Sequence, residues 1–274
     1  MNKGGFFEQE HPFVFGHRGA AGLAPENTLA AFDRGVAEGV DGIELDVHLS
    51  ADGIPVVIHD STLERTTDAS GPVTSLTATA LARVDAGYRF QPDRQFPFRG
   101  QGIGVPTLRE VLARHPEARV IIEMKMDLSE LGEAVADEVR RASAAERVCV
   151  AGYGIRSAEA ARRALPEMAC SACQDEVRLA LYRTWAFWPV RGTQYGGYQV
   201  PETVGRTRVV SPRFVRYAHR AGLRVHIWTV DEEAVAARLL SWGVDGLITN
   251  RPDVIVGARD RFLGARDIQL ESVR

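Results

Sequence analysis

Titratable and charged residues stand at the ends, or along one face, of short apolar runs in the first part of the chain. They are His17 after residues 13–16, Glu44 and Asp46 within residues 43–47, and His59 after residues 55–58. Apolar runs of this length are typical of buried strands. A charge beside a buried strand costs free energy unless it is paired or bound to a metal. The pattern therefore indicates a site for chemistry.

Strand geometry predicts that three carboxylates converge. Successive side chains of a strand alternate between its two faces, so Glu44 and Asp46 share one face. Glu123 lies on a later predicted strand and shares its face with Lys125. If both faces point into the same interior, three like charges meet there and cannot all stay ionised without a cation. Oxygen ligands favour Mg²⁺ or Ca²⁺ over zinc. The alternative is a structural ion network in which Arg18 or Lys125 pairs with these acids.

His17 and His59 end two different predicted strands on the same face of the sheet. The unperturbed pKa of histidine is near 6.5, so one ring can act as a base and the other as an acid near neutral pH. A single strand-end histidine more often makes a structural hydrogen bond. Two of them beside three acids favour catalysis. His48 shares the face of Glu44 but lies further along, and packing is the better interpretation for it.

Arg18 and Lys125 supply positive charge beside the carboxylates. An anionic substrate that bridges the metal explains both best. A phosphodiester offers the metal an oxygen and needs proton transfer at its attacking and leaving oxygens. The set therefore favours metal-assisted phosphoryl transfer without a covalent protein nucleophile. The glycine-rich residues 100–104 lack the pattern of a dinucleotide-binding loop.

Short apolar runs alternate with amphipathic helical ones about eight times along the chain, with short connections. Strands are predicted at 13–17, 42–48, 55–58, 119–125, 147–151, 168–172, 197–200, 223–228 and 245–249. This alternation favours an α/β fold of the closed (β/α)8 type, a TIM barrel, over an open sheet. Residues 60–106 break the rhythm and are predicted to form a small ordered cap, inserted after the second strand. Residues 1–274 are thus predicted to be a single domain.

Composition excludes several classes of protein. The net charge is −3 and the pI about 6.2, which gives no indication of a nucleic-acid partner. The three cysteines, an odd number, argue against a disulfide framework and are interpreted as buried thiols. Residues 1–11 have no apolar core, and no run of 18 apolar residues exists, so neither a signal peptide nor a stable membrane insertion is predicted. A cytoplasmic location follows as the expectation.

The chain resembles the glycerophosphodiester phosphodiesterase family. The matching segments, in family order, are His17–Gly19, Pro25–Thr28, Glu44–Val47, Asp52–Gly53, Val57–Asp60, Glu123–Lys125, Trp228–Val230 and Gly243–Thr249. The resemblance implies a TIM barrel with an inserted cap and hydrolysis of glycerophosphodiesters to sn-glycerol 3-phosphate and an alcohol. In the family's usual scheme, the free glycerol hydroxyl attacks phosphorus and water then opens a cyclic phosphate.

The resemblance also implies roles for individual residues. The divalent metal, Mg²⁺ or Ca²⁺, is expected on Glu44, Asp46 and Glu123, with His17 and His59 as the acid–base pair and Arg18 and Lys125 on the phosphate. Two positions depart from the family's frequent pattern: Asp231 stands where Asn is common, and Asn250 where Asp is common. Both positions are typical of helix N-caps.

An aromatic segment bears on the substrate. Trp185, Phe187 and Trp188 follow one another closely, and Trp228 ends a predicted strand. They are candidates for an apolar wall that would shift the substrate towards lysophospholipids, as in a lysophospholipase D; the alternative for the segment is packing of a helix. A TIM-barrel metalloenzyme acting on phosphosugars and a non-catalytic binding protein are the rival functions. The small phosphodiester's head group, the choice of metal and the oligomeric state are left open.

Overall fold

A computed structural model describes residues 5–186, 188–189 and 192–271. The strands in chain order are β1 (Phe13–Gly16), β2 (Gly42–Leu49), β3 (Pro55–Val57), β4 (Arg119–Met124), β5 (Val148–Gly152), β6 (Ala169–Cys170), β7 (Gly197–Pro201), β8 (Thr203–Val204), β9 (Thr207–Arg208), β10 (Arg224–Trp228) and β11 (Gly246–Thr249). The boundaries of the nine predicted strands agree with these within two residues, and β8 and β9 were not predicted.

Eight of the strands form a parallel barrel. Their order is β6-β5-β4-β2-β1-β11-β10-β7, and a parallel bridge between Ser171 and Gly197 joins the two ends. The predicted TIM barrel is thereby confirmed. β3 is not a barrel strand, because it pairs antiparallel with the second half of β2, and β8 and β9 form a separate hairpin.

Helices lie between the barrel strands. They are α1 (Leu29–Ala37), α2 (Ala78–Leu81), α3 (Leu108–Arg114), α4 (Ser129–Arg141), α5 (Ile155–Ala164), α6 (Gln174–Trp185), α7 (Pro212–Arg220), α8 (Glu233–Ser241) and α9 (Pro252–Glu271). The capping box predicted before α3 is present, with Thr107 and Glu110 as its two members. Within the described residues, no helix combines the length and the apolar character that crossing a bilayer requires.

Aromatic side chains fill the interior at the amino ends of the barrel strands. Phe6 and Phe7, in a short 3-10 helix, are buried there against Phe13 and Phe15. The ring of His226 lies among the same phenylalanines and is fully buried. The polar segment 1–11 thus includes two residues of the barrel core. The three cysteines are free and buried, as predicted.

The segment between β3 and α3 is ordered around a small apolar cluster of its own. That cluster consists of Val56, Ile58, Leu63, Val73, Ala78, Leu81, Ala86 and Val105. A bridge between Val56 and Thr107 joins the two ends of the segment beside β2. The insertion therefore begins and ends close to the strand that carries Glu44 and Asp46.

Candidate active site

Three carboxylates converge inside the barrel, as the strand period predicts. Asp46 on β2 is the register partner of Glu123 on β4, and Glu44 points to the same side two residues earlier. One oxygen of each carboxylate lies within 4.8 Å of the others. Glu44 and Asp46 are 4% and 1% exposed. The spacing and the all-oxygen donor set suit a hard divalent cation.

The charges around these acids are unevenly compensated. Burial raises the pKa of Glu44 well above its usual value, and repulsion from Asp46 and Glu123 adds to the rise, against one hydrogen bond from the Arg18 amide at 2.9 Å. Burial also opposes ionisation of Asp46, but Lys125 and Arg18 outweigh it and its pKa is lowered. Glu44 is therefore the acid whose charge a bound cation would relieve most.

Arg18 and Lys125 both contact the acids. The Lys125 Nζ lies 3.2 Å from Asp46 Oδ1 and 3.1 Å from Glu123 Oε1. The Arg18 Nε lies 3.3 Å from Asp46 Oδ2, and its Nη1 donates to Glu26 at 2.8 Å. The ion network weighed as an alternative is thus present. Within the described part of the chain, however, no side-chain cation lies comparably close to Glu44, whose nearest such partner is His17 Nε2 at 3.9 Å.

The loop after β1 is shaped by left-handed backbone. Arg18 has φ of 49° and Asn27 has φ of 58°, conformations that cost free energy outside glycine and concentrate at functional sites. Gly19 has φ of 91°, and a Cβ there would come within 2.5 Å of the Ala31 backbone. This path lets Asn27 donate to Asp46 Oδ2 at 2.9 Å and accept from the Asp46 amide at 3.2 Å.

His17 follows β1 and is held by Asn250, the residue directly after the last strand. Its Nδ1 lies 2.7 Å from Asn250 Oδ1, and its Nε2 lies 3.9 Å from Glu44 Oε2. Burial lowers the pKa of His17, and the nearby charge of Arg18 lowers it further. Asn250 in turn donates to Asp231. The N-cap expectation for Asp231 is wrong, because Glu232 is the N-cap of α8 and Asp231 binds the end of β11 instead.

His59 lies just beyond β3 and pairs with its neighbour Asp60. Its Nδ1 is 2.6 Å from Asp60 Oδ1, while its carbonyl accepts from His48 Nε2 at 3.0 Å. Arg65 of the inserted segment donates to Asp60. Burial opposes ionisation of Asp60, but hydrogen bonds from Arg65 and His59 lower its pKa to about 2. The Asp60 carboxylate is therefore charged and fixes the His59 ring.

Comparison with known proteins agrees with this geometry. Residues 17–254 match the model of the glycerophosphoryl diester phosphodiesterase family. The chain belongs to that family. It is 33% identical over 254 residues to a putative glycerophosphodiester phosphodiesterase, YhdW, of Bacillus subtilis, covering 89% of this chain and 96% of that relative.

Solved structures of the glycerophosphodiester phosphodiesterase family share the fold. One, from Agrobacterium tumefaciens, is 29% identical with a TM-score of 0.73 and covers 90% of this chain and 99% of its own. Another, an Oleispira antarctica phosphodiesterase in complex with the product sn-glycerol-3-phosphate, is 25% identical with a TM-score of 0.72, covering 91% and 97% of the two chains.

Several residues of this family member's site were not predicted from sequence to take part in it. They are Glu26, Asn27, His48, Asp60, Arg65, Asp231 and Asn250. Asn27 and Asp60 stand in the segments that carry the family resemblance, which was a usable signal. His48 was predicted to pack, and it does so with a directed hydrogen bond to the residue it supports.

The aromatic wall stays a prediction. Trp228 ends β10 at the carboxyl side of the barrel and is 40% exposed. Trp185 and Trp188 are 53% and 70% exposed, and the Trp185 ring meets that of Tyr182 on the same helix. Phe187 lies outside the described residues. The exposure of both tryptophans disfavours the alternative in which they pack a helix against the barrel.

Proposed function

We propose that this protein hydrolyses glycerophosphodiesters to sn-glycerol 3-phosphate and an alcohol with a bound Mg²⁺ or Ca²⁺. The observation that carries the proposal is that the three-carboxylate cluster has His17 Nε2 3.9 Å from Glu44 and the His59 ring close enough to act on the charge of Asp46. The product complex of the Oleispira antarctica relative supports the choice of product. We propose that the inserted segment is part of the same catalytic domain. The cytoplasmic location stays a prediction.

The metal would be held by Glu44, Asp46 and Glu123. When bound, it would supply a Lewis acid for a phosphate oxygen and neutralise developing negative charge. Arg18 and Lys125 stand beside the same acids with hydrogen-bond donors that can also reach a phosphate. Arg18 donates to Glu26 at 2.8 Å, and this bond orients its guanidinium.

The two histidines transfer the protons. The first step forms a bond between phosphorus and the 2-hydroxyl oxygen of the glycerol, and His17 Nε2 takes the hydroxyl proton. The bond from phosphorus to the alcohol oxygen breaks, and His59 gives that oxygen a proton. In the second step water attacks the cyclic phosphate, His59 takes its proton, and His17 returns one to the departing ring oxygen. Both histidines return to the protonation states in which they began.

This division of roles follows from the partners of the two rings. His17 faces a neutral amide at Nδ1, and its pKa is lowered, mainly by burial, so the ring is ready to accept a proton. His59 faces the charged Asp60, which stabilises the ring while it carries the proton that it gives away. Small head groups such as choline, ethanolamine and glycerol are the expected alcohols; lysophospholipids are the alternative, supported by the exposed tryptophans alone.

The test is a head-group screen with glycerol 3-phosphate as the readout, before and after chelation and Mg²⁺ or Ca²⁺ addition. His17→Ala and His59→Ala should each lower kcat by about 10²–10⁴. His11→Ala is the control, because His11 packs against Phe13 at the amino side of the barrel. Full activity in metal-free enzyme would contradict the proposed metal requirement. A near-normal kcat in either variant would show that the histidine it replaces has a structural role.

A further inference from the structure

Asp231, Asn250 and His17 form a chain of hydrogen bonds that runs from the end of β10 to the site. Asn250 Nδ2 donates to Asp231 Oδ2 at 2.8 Å, and Asn250 Oδ1 lies 2.7 Å from His17 Nδ1. The other Asp231 oxygen accepts from the Asn250 amide at 2.7 Å and from Thr249 Oγ1 at 3.0 Å. Asp231 is therefore held by backbone as well as by side chains.

The donors and acceptors of this hydrogen-bond chain can be arranged in only one consistent way. A carboxylate accepts and does not donate, so the Asn250 group that faces Asp231 must be the NH₂. The amide oxygen of Asn250 is then forced to face His17. An amide oxygen only accepts, so His17 Nδ1 must carry a hydrogen. His17 is left with Nε2, on the side of Glu44, as the nitrogen that exchanges a proton.

We propose that Asp231 and Asn250 are positioning residues that fix the tautomer of His17, with the proton on Nδ1 in both charge states of the ring. This rests on the proposed role of His17 in proton transfer. Asp231 acts through Asn250, because it sets which end of the amide turns towards the ring. The pair restricts proton exchange to Nε2 and holds the plane of the imidazole.

The direction of the hydrogen-bond chain predicts what happens when the Asp231 carboxylate is replaced by an amide. In Asp231→Asn, the oxygen of residue 231 keeps its bonds from the Asn250 amide and Thr249, since a backbone N–H cannot turn away. The new NH₂ then faces Asn250, whose side chain must turn over to present its oxygen. Its NH₂ now meets His17 Nδ1, which has to accept, and the ring proton moves to Nε2. A ring with this tautomer cannot take the substrate's proton at Nε2.

Asp231→Asn should therefore lower kcat by about 10²-fold or more, as the same exchange does in serine-protease triads, with a small change in KM. Asn250→Asp alone places two carboxylates 2.8 Å apart and should also lower kcat. The double variant Asp231→Asn/Asn250→Asp restores a consistent direction, since Asn at 231 donates to Asp at 250, which accepts from Nδ1. Its kcat should return to within about tenfold of the wild-type value.

The matched control is Asp253→Asn, a carboxylate-to-amide change on α9 that weakens an exposed ion pair with Arg251. Its kcat should stay near that of the wild type. Thermal unfolding of all variants shows whether each is folded. If Asp231→Asn does not fold, the double variant decides, because an inactive but folded double variant would overturn the proposal.

The tautomer can be read directly. Long-range ¹H–¹⁵N spectra of the ¹⁵N-histidine protein with Mg²⁺ should show His17, assigned from its loss in His17→Gln, with Nδ1 protonated. Asp231→Asn should show the proton on Nε2. An unchanged tautomer would overturn the proposal, and so would an unchanged kcat in Asp231→Asn if His17→Ala has lost activity. A changed tautomer together with an active His17→Ala variant would uphold the hydrogen-bond chain and refute the catalytic role of His17 instead.

Discussion

Arg65 donates two hydrogen bonds to the carboxylate of Glu26, at 2.8 and 2.7 Å, across 39 residues of sequence. The same guanidinium holds Asp60, the partner of His59, while Glu26 also binds Arg18. One side chain of the inserted segment thus connects the residue that supports a proposed acid with the residue that supports a proposed phosphate ligand. The insertion is in this way part of the site's architecture.

Arg65→Leu should lower kcat by about tenfold, because Asp60 then loses the donors that fix it and His59 loses a fixed partner. Stability should fall by about 1 kcal/mol or less, since the Arg65 side chain is 47% exposed and solvent screens the ion pairs. Steady-state kinetics on glycerophosphocholine and urea unfolding measure the two effects.

The control for this change is Arg34→Leu, which removes an exposed ion pair with Glu38 on α1. That variant should lose a similar or smaller amount of stability and keep its kcat. If Arg65→Leu also keeps its kcat, the connection between the insertion and His59 has no catalytic consequence.

Glu44→Gln should have opposite effects with and without metal. In the chelated protein, burial and then repulsion from Asp46 and Glu123 oppose a charge on Glu44, and the amide carries none, so the free energy of unfolding should stay the same or rise. Mg²⁺ at about 100 times its Kd should stabilise the wild type by about 2.7 kcal/mol and the variant by much less. The kcat should fall about 100-fold or more.

Urea unfolding in chelator and in Mg²⁺ measures the change in the free energy of unfolding under each condition. Glu130→Gln is the control, because Glu130 is exposed at the start of α4. Equal Mg²⁺ stabilisation of wild type and Glu44→Gln would remove Glu44 from the metal site.

The converging acids could be predicted because strand period is a local property. Glu44, Asp46 and Glu123 share a face as soon as their strands are assigned, and the barrel then brings neighbouring strands together. The partner of His17 could not be predicted in this way. Asn250 meets it only because β1 and β11 are neighbours in the closed barrel, which is a tertiary fact.

Arg65 illustrates a second reason. Its position depends on the path of an insertion that follows no strand or helix period, so spacing gave no indication of what it contacts. Asp231 shows the converse error. Its residue type and its place before a helix favour an N-cap, but Thr249 and the Asn250 amide offered it stronger partners. Hydrogen bonds at the end of the neighbouring strand β11 thus outweighed the local N-cap preference of this residue.

His226 should make stability depend on pH. Its pKa is lowered from 6.5 to about 4, mainly by burial, with Asp245 opposing the shift and Arg224 adding to it. Neither ring nitrogen has a hydrogen-bond partner among the described residues. Between pH 6.5 and 4 the unfolded state binds the proton more readily, so stability present above pH 6.5 is lost as the pH falls to 4. The loss is on the order of 3 kcal/mol.

His226→Leu should remove this loss. Urea unfolding at pH 7.5 and 4.5 should show a smaller fall in the free energy of unfolding for the variant, which should also be as stable as the wild type, or more so, at pH 7.5. The matched control is His11→Leu, which replaces a partly exposed histidine outside this buried cluster. The same fall in His226→Leu as in the wild type would assign the pH dependence to other groups.

Trp188→Ala distinguishes the two substrate classes. The Trp188 side chain is 70% exposed, so its removal should cost little stability, and any effect on turnover reflects contact with substrate. If it forms part of an apolar wall, the lost burial of an acyl chain against it is worth roughly 1.5–3 kcal/mol, or tenfold or more in kcat/KM. Lysophosphatidylcholine should then lose at least tenfold, while glycerophosphoethanolamine, which has no acyl chain, should lose little. Trp228→Ala is the comparison, because Trp228 ends β10 on the carboxyl side of the barrel, where both substrates would bind, and its loss should affect both. Similar losses on both substrates in Trp188→Ala, or no loss on either, would leave the small glycerophosphodiesters as the only supported class.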